Sequence, residues 1–357
     1  MMRSTVAKLI TQMEGAEVDA IIISKPENRR YYSGFTGSSG MLLIHPLVQY
    51  MITDFRYVEQ CKRQCPDYKI VNASGQKALE FIQRVCKELG IHTLWFEEEY
   101  VTYENYQKIK ENTCDVELVP AKGIASKNRM VKTQEEIESI RQAAAIADAA
   151  FSHMLEYIKP GMTEKEVALE LEFYMRRLGC EALSFSTIIG SGANGALPHA
   201  YPTDKPLEAG DLVVMDFGCV YNGYCSDMTR TIGIGKIENE LKEIYEIVLE
   251  AQQKALNGIK AGMTGIEVDR LSREVIESKG YGEYFGHGLG HGVGLEIHEG
   301  PTLSQKGEQV LEPNMVVTVE PGIYLPGKGG VRIEDLVVVK EDGIVNLTAS
   351  PKELYII

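Results

Sequence analysis

The sequence predicts two domains, an α/β N-terminal domain and an α+β C-terminal domain that contains an internal duplication. Short apolar runs alternate with helical stretches in the first third of the chain, which is typical of a layered α/β unit. In the remainder, IKPGMTEKEV from Ile158 matches IKAGMTGIEV from Ile259 at an offset of 101 residues. LEAGDLVVMDFG from Leu207 likewise matches LEPNMVVTVEPG from Leu311 at an offset of 104. Two copies are too few for a solenoid, so we expect two halves related by a pseudo-two-fold axis.

The composition excludes several classes of protein. The net charge of -14 over 357 residues opposes a nucleic-acid partner, which requires a basic surface. No apolar run approaches the roughly 18 residues of a membrane span, and the N-terminus lacks the apolar segment of a signal peptide. Seven cysteines without a Cys-x-x-Cys pair argue against a disulfide framework and a thiolate zinc site. We therefore expect a cytoplasmic protein with reduced thiols.

The N-terminal domain is assigned to residues 1–125. Its strands are predicted in VDAIIIS, MLLIHP, VQYMITD, VELVPA and the apolar stretch 94–96. Helices are predicted between the strands, at residues 56–65, 76–89 and 103–111. Residues 28–32 and 34–38 are polar or rich in glycine, and we expect them to form a loop after the first strand.

The C-terminal domain is assigned to residues 133–357, after a linker at 126–132. Thr133 and Thr163 each begin a Thr-x-x-Glu sequence, which is the pattern of a capping box at a helix start. They predict helices that end near residues 157 and 178. The equivalent helices of the second half are predicted at residues 240–256 and 265–279.

Two acidic residues belong to a predicted hairpin in the first half. Asp216 lies within the apolar run LVVMDFG, and Asp227 follows VYNGYC, whose Asn222-Gly223 is the preferred centre of a type I′ turn. A hairpin centred there places Asp216 opposite Thr229, with Asp227 diagonal to Asp216 on the same face. Neighbouring carboxylates repel each other, and a bound cation would reverse that repulsion.

A second hairpin is predicted to join residues 315–325 to residues 330–340. It carries Glu320, Arg332 and Glu334, and Glu320 occupies the position of Asp216 in the repeat. An acid in a buried strand needs a partner for its charge. The alternation of each strand, taken alone, also allows the acid to face water.

Four of the seven histidines lie near the acid-bearing strands, namely His199, His287, His291 and His298. His287 and His291 have the i, i+4 spacing of a helical zinc motif. The glycines around them disfavour a helix, and no catalytic glutamate lies between them. We expect these glycines to let the backbone pass close to metal ions or substrate.

Together, four carboxylates and one imidazole predict a site for two divalent cations. Two such ions bring four positive charges to four carboxylates, so the cluster approaches neutrality only when it is loaded. Oxygen-rich ligation with one nitrogen favours Mn²⁺, with Co²⁺ and Zn²⁺ as alternatives. Paired ions activate a water molecule, so the predicted chemistry is hydrolysis.

The order of these residues, with the segments FGHGLGH and VRIED, resembles the pita-bread metallopeptidases. Within them the chain is most similar to the branch of Xaa-Pro dipeptidases (prolidases) and aminopeptidases P, over essentially its whole length. The resemblance implies metal ligands at Asp216, Asp227, His291, Glu320 and Glu334. It also implies that His199, His287 and His298 hold the substrate, that Glu320 transfers protons, and that Arg332 orients the site, with Tyr324 as a further candidate.

The resemblance further implies small proline-containing peptides as substrates and a homodimer. A dipeptidase and an aminopeptidase both stay open. Some prolidases carry an arginine after the proline of the segment that matches residues 298–301, where this chain has Thr302, and this favours longer peptides. The chain length favours the dipeptidase, which we expect. A non-catalytic peptide-binding module is a third alternative, but such modules usually lose ligand carboxylates that this chain retains.

Overall fold

The computed structural model describes residues 3–357, and the chain divides into two compact units, Met1–Arg129 and Met130–Ile357. The division falls inside the predicted linker at residues 126–132. Among the described residues, no helix combines the length and the apolar character needed to cross a bilayer. No disulfide links any of the cysteines in this part of the chain.

The first unit is a six-stranded sheet with helices. Helices α1–α6 are Ser4–Gly15, Pro26–Ser33, Val58–Gln64, Gln76–Leu89, Tyr103–Asn112 and Ile124–Lys127. Strands β1–β6 are Ala20–Ile23, Met41–His45, Val48–Thr53, Lys69–Asn72, Thr93–Phe96 and Glu117–Pro120. The strand order is β4-β3-β2-β1-β5-β6. Alternate residues of β1 enter two separate cores, since Ile21 and Ile23 pack in one and Ala20 and Ile22 in the other. The predicted α/β layering is confirmed.

One local prediction in this unit is wrong, because residues 28–32 belong to helix α2 and not to a loop. Pro26 stands at the start of α2, where its fixed φ suits a first helical position. The Glu97 carboxylate accepts hydrogen bonds from the backbone N–H groups of Ser24 and Lys25, at 2.5 and 2.7 Å. The helix start is therefore stabilised by a side chain from a distant strand end, which local sequence patterns do not reveal.

The second unit packs helices against antiparallel sheets. Helices α7–α10 are Gln134–Tyr157, Glu164–Arg177, Asn239–Gly258 and Gly265–Ser278. Strands β7–β12 are Ala182–Leu183, Ile188–Ser191, Leu212–Phe217, Cys219–Tyr221, Tyr224–Cys225 and Met228–Gly233. Strands β13–β19 are Gly290–Gly292, Glu299–Leu303, Val316–Val319, Gly322–Leu325, Gly329–Arg332, Asp335–Lys340 and Gly343–Asn346. The principal sheets have the orders β12-β9-β8 and β14-β13-β15-β18-β19. This arrangement confirms the α+β prediction.

The internal duplication is visible in matching backbone contacts. The threonine that caps α8 forms a β-bridge to the segment before β9. The threonine that caps α10 forms an equivalent β-bridge to the segment before β15. These bridges are Thr163–Pro206 and Thr264–Val310. The predicted capping boxes are present at α7 and α8, and α10 begins with one that was not predicted, formed by Thr264 and Glu267. The two sequence blocks therefore fold in the same way in both halves.

The first acid-bearing hairpin has the predicted register. Strands β9 and β12 pair with Asp216 opposite Thr229. Asn222 and Gly223 have φ values of 47° and 75°, as both central positions of a type I′ turn require. Met215 and Phe217 enter the core with α7 and α8. Because neighbouring side chains of a strand point to opposite faces, Asp216 points away from that core.

The last hairpin places its two acids across from each other. Val319 pairs with Asp335, and Gly322 pairs with Arg332. This common register puts Glu320 opposite Glu334, at the break between the β15–β18 and β16–β17 pairs. The predicted hairpin is confirmed, with this break at the two acids.

Candidate metal centre

Three carboxylates from the two halves converge in the second unit. Asp216 lies in β9, Asp227 directly precedes β12, and Glu334 directly precedes β18. One oxygen atom from each of these side chains lies within 4.8 Å of the others, and all three residues are buried. The repeat therefore brings acids that are far apart in sequence to one point.

His291 and Glu320 complete the cluster. The His291 Nε2 atom lies 3.5 Å from Asp227 Oδ2 and 3.4 Å from Glu320 Oε1. Its other ring nitrogen, Nδ1, lies 3.1 Å from the Gly292 carbonyl oxygen. With the proton on Nδ1, the Nε2 lone pair faces the carboxylates, which is the arrangement of a metal-ligating histidine.

Two threonines, Thr229 and Thr318, orient the carboxylates of Glu334 and Glu320 through hydrogen bonds. Thr229 Oγ1 donates to Glu334 Oε2 at 2.7 Å and accepts from Arg332 Nε at 3.0 Å. Thr318 Oγ1 donates to Glu320 Oε1 at 3.1 Å and accepts from the backbone N–H of His291 at 3.0 Å. Each hydroxyl therefore fixes one carboxylate and one neighbouring group of the cluster.

Arg332 is the cation of the site. It is buried, and its Nη2 atom donates to Asp216 Oδ2 at 2.6 Å. Its Nη1 atom donates to the Tyr324 hydroxyl at 2.7 Å and to the Pro198 carbonyl oxygen at 3.2 Å. The Tyr324 hydroxyl lies 2.9 Å from His287 Nε2. A chain of hydrogen bonds thus runs from Asp216 through Arg332 and Tyr324 to His287.

The electrostatics of the cluster call for added positive charge. Burial raises the pKa of Asp227 well above its ordinary value, and the Glu334, Asp216 and Glu320 carboxylates raise it further. Burial and the charges of Glu320 and Asp216 do the same to the pKa of Glu334. Burial raises the pKa of Glu320 to about 8. The single guanidinium of Arg332 does not neutralise four carboxylates, so the residues suit a cationic ligand.

Two further observations test whether these residues fit divalent metal ions. Within residues 3–357, the buried Asp216 Oδ1 atom has no hydrogen-bond partner, although its sister oxygen is held by Arg332. Burial lowers the pKa of His291 to about 4, with the nearby His298 adding to the effect, so its imidazole is neutral near pH 7 and can act as a ligand. Oxygen donors with one neutral nitrogen match the donor set of first-row divalent ions. The site fits the metals.

The nine side chains predicted from the sequence as catalytic or metal-binding all line one cavity of about 480 Å³. They are His199, Asp216, Asp227, His287, His291, His298, Glu320, Arg332 and Glu334. The remaining candidate, Tyr324, forms hydrogen bonds with two of them, His287 and Arg332. Phe185, Ile188, Pro198 and Ile297 add apolar surface to the lining. The cavity therefore offers a polar cluster beside apolar walls.

The comparisons with known proteins agree with this geometry. The model of metallopeptidase family M24 matches residues 138–341, which is more than half of the chain. This chain belongs to metallopeptidase family M24. The model of the creatinase/prolidase N-terminal domain matches residues 6–131 of the same metallopeptidase. The expected pita-bread relationship is thus confirmed.

Individual relatives of this M24 metallopeptidase cover it almost completely. It is 41% identical to the Xaa-Pro dipeptidase of Pyrococcus furiosus, over 99% of the chain and 100% of that protein. The solved Xaa-Pro dipeptidase from Bacillus anthracis is 50% identical, with a TM-score of 0.96 and coverage of 99% of both chains. The solved X-Pro aminopeptidase from Thermotoga maritima is 42% identical, with a TM-score of 0.91 and coverage of 99% of both chains.

Sequence reasoning missed the residues that orient this M24 site. Thr229 and Thr318 do not stand out by type, although the hairpin register already placed Thr229 opposite Asp216. The glycines beside His291 also meet a steric requirement that the sequence did not reveal. A Cβ atom on Gly290 would lie 2.2 Å from the Thr318 carbonyl oxygen, and one on Gly292 would lie 2.0 Å from that of Gly300. These two glycines make room for neighbouring backbone, and Gly290 also lines the cavity, so the expectation that its backbone passes close to metal ions or substrate stays a prediction.

Proposed function

We propose that this M24 metallopeptidase is a dinuclear-metal-dependent Xaa-Pro dipeptidase. The observation that carries the proposal is the convergence of four carboxylates and one imidazole at one cavity, with Asp216 Oδ1 buried and unpartnered among residues 3–357. The Xaa-Pro dipeptidases of Pyrococcus furiosus and Bacillus anthracis support the substrate class. The proposed substrate is a dipeptide with proline in second position.

Asp216, Asp227, His291, Glu320 and Glu334 would bind the two ions. We propose Mn²⁺ as the native metal because the donor set is oxygen-rich, with Co²⁺ and Zn²⁺ as the alternatives. When bound, such a pair supplies activation of a water molecule and stabilisation of negative charge on a carbonyl oxygen.

The remaining residues would bind the peptide and move its protons. Burial lowers the pKa of His287 to about 4, helped by the charge of Arg332, and burial also lowers the pKa of His298. Both rings are therefore neutral near pH 7. With His199 they would hold the substrate and stabilise the developing oxyanion. Glu320 would carry a proton to the leaving nitrogen, and Arg332 would orient Asp216.

An Xaa-Pro bond suits a site of this kind. Its nitrogen carries no hydrogen, so a protease that relies on backbone hydrogen bonds at that position cannot hold the substrate. The carboxylate cluster does not require a hydrogen bond from the nitrogen of the Xaa-Pro peptide bond. The apolar side chains of Phe185, Ile188, Pro198 and Ile297 in the cavity lining offer surface for a proline ring.

A specific observation favours a second activity, that of an Xaa-Pro aminopeptidase acting on longer peptides. Thr302 lines the cavity where some prolidases have an arginine for the free carboxylate of a dipeptide. The X-Pro aminopeptidase of Thermotoga maritima is also a close structural neighbour. A purely peptide-binding role is disfavoured because every proposed ligand is retained.

We also propose that the enzyme is a cytoplasmic homodimer. The buried cysteines, with no disulfide among the described residues, support a reducing compartment. The homodimer rests on the family resemblance alone, and sedimentation analysis of the purified protein tests it.

The decisive experiment compares two substrates with and without metal. Chelator-treated protein should lose hydrolysis of Ala-Pro and regain it on addition of Mn²⁺. Ala-Pro cleaved faster than Ala-Pro-Ala supports the dipeptidase, and the reverse order supports the aminopeptidase. Protein with metal bound that cleaves neither substrate contradicts the peptidase assignment.

A further inference from the structure

We infer that Glu164 is a positioning residue for His199. Glu164 begins helix α8, is completely buried, and takes no part in the capping box there, which uses Thr163 and Glu166. Its carboxylate holds the segment 191–203, here called the His199 segment, beside the cavity. The expected loss of activity rests on the proposed function. The expected loosening of the His199 segment rests on the hydrogen bonds alone.

Five donors from the His199 segment converge on this one carboxylate. Glu164 Oε1 accepts from the backbone N–H and the hydroxyl of Ser191, at 2.7 and 2.8 Å. Glu164 Oε2 accepts from Asn194 Nδ2 at 2.8 Å and from the backbone N–H and hydroxyl of Thr203, at 2.9 and 2.6 Å. The anchors thus include both ends of the segment, and bonds to a carboxylate are stronger than bonds between neutral groups.

The middle of the segment forms part of the cavity. Pro198, His199, Ala200 and Tyr201 line it. His199 is exposed, as are Leu197 and Tyr201, at 58% and 75%, so in this stretch burial acts through the small side chain of Ala200, at 2%, and not through His199. Asn194 Nδ2 also donates to the Tyr201 carbonyl oxygen at 3.2 Å, which carries the anchoring from Glu164 toward His199.

The opposite side of the segment contacts the metal centre. Arg332 Nη1 donates to the Pro198 carbonyl oxygen, directly before His199. Arg332 also holds Asp216. The backbone beside His199 therefore lies between two charged groups, one that fixes the ends of the segment and one that belongs to the site. Movement of the ends would move His199 relative to the proposed ligands.

The duplicated half shows that this carboxylate is specific to the His199 segment. At the offset of 101 residues, Gly265 occupies the position of Glu164. A Cβ atom on Gly265 would lie 2.1 Å from the Thr302 carbonyl oxygen. In the second half, the equivalent segment therefore packs directly on the helix start. In the first half, a buried carboxylate spans that space.

The principal test is a double-mutant cycle of Glu164→Gln with His199→Ala. The amide keeps the shape of the side chain but presents N–H groups to donors. We expect Glu164→Gln to lower kcat/KM for Ala-Pro roughly 10- to 100-fold, because a misplacement of about 1 Å can cost on the order of 10²-fold. In the His199→Ala background the same change should cost less than about threefold, since coupled residues are not additive. Equal losses in both backgrounds would overturn the inference.

Hydrogen exchange tests the structural part without any substrate. Glu164→Gln should speed exchange of the amides in residues 192–203 and leave exchange in residues 296–307, their equivalents at the offset of 104 residues, unchanged. Unchanged exchange in both segments overturns the inference whether or not the enzyme hydrolyses Ala-Pro. Failure of the wild type to hydrolyse Ala-Pro or Ala-Pro-Ala concerns the proposed function alone.

Two further variants control for folding. Thr203→Val, at an exposed position, removes a hydroxyl that donates to Glu164 at 2.6 Å and accepts from the Lys205 backbone N–H at 3.2 Å. It should speed exchange of the segment in the same direction. Glu166 lies on the same helix as Glu164, and glutamine can also form a capping box. Glu166→Gln should therefore leave activity and amide exchange of the His199 segment unchanged. If Glu166→Gln had the same effect as Glu164→Gln, the effect would belong to the helix and the inference would be wrong.

Discussion

Replacement of Thr229 by valine tests whether the orientation of Glu334 determines metal binding. Thr229 is completely buried, and valine has nearly its shape but no hydroxyl. The change removes the 2.7 Å bond to Glu334 and the 3.0 Å bond from Arg332. Loss of a partner that orients a metal ligand typically costs 10- to 100-fold in metal affinity. We therefore expect Mn²⁺ affinity to fall by about that factor, or roughly 1.4–2.8 kcal/mol.

The assay is a calorimetric Mn²⁺ titration of chelator-treated protein, with Thr231→Val as the matched control. Thr231 lies on the same strand and is also buried, but within residues 3–357 its hydroxyl bonds only to the Arg332 backbone, at 2.9 and 3.2 Å. The control should lose stability while keeping Mn²⁺ affinity within about threefold, an amount below the expected effect of a lost ligand partner. Wild-type affinity in Thr229→Val, or equal losses in both variants, would refute this account of the site.

Three other predictions concern catalysis and stability. Glu320→Gln should lower kcat by roughly 10²-fold or more, the usual contribution of a general acid or base, and kcat near the wild-type value on Ala-Pro would contradict its role. Asp335→Asn should destabilise the protein by about 3–5 kcal/mol in urea denaturation, because Asp335 is the buried partner of Arg230 at 2.7 Å. A loss below about 1 kcal/mol, the range of an exposed pair, would contradict that estimate. Mn²⁺ at 100 times its dissociation constant should stabilise chelator-treated protein by about 2.7 kcal/mol for each ion bound, and no rise in Tm would mean that the cluster does not bind the ion.

The two halves of the repeat contribute different parts of one site. The first half supplies Asp216 and Asp227, and the second supplies His291, Glu320 and Glu334. The connection between them is direct, since Glu334 N–H donates to the Thr229 carbonyl oxygen at 3.1 Å. A duplicated scaffold can therefore keep its backbone contacts while the side chains at equivalent positions diverge, as Glu164 and Gly265 do.

The local features of this protein were determined by the sequence itself. Asn222-Gly223 sets the register that puts Asp216 opposite Thr229, because a two-residue turn with positive φ at both positions leaves one pairing. The threonine–glutamate capping boxes mark their helix starts because every group that takes part is within three residues. The repeat predicted the equivalence of Asp216 and Glu320, because an alignment of the two halves can be read directly from the sequence.

Only the tertiary structure decided which groups meet across long separations. Thr229 contacts Glu334, Arg332 contacts Asp216, and Glu97 binds the backbone just before helix α2, which had been predicted to be a loop. These contacts join residues about 70 to 115 positions apart. Buried polar groups need hydrogen-bond partners. A local sequence pattern does not predict which distant residue the fold brings close enough to be that partner.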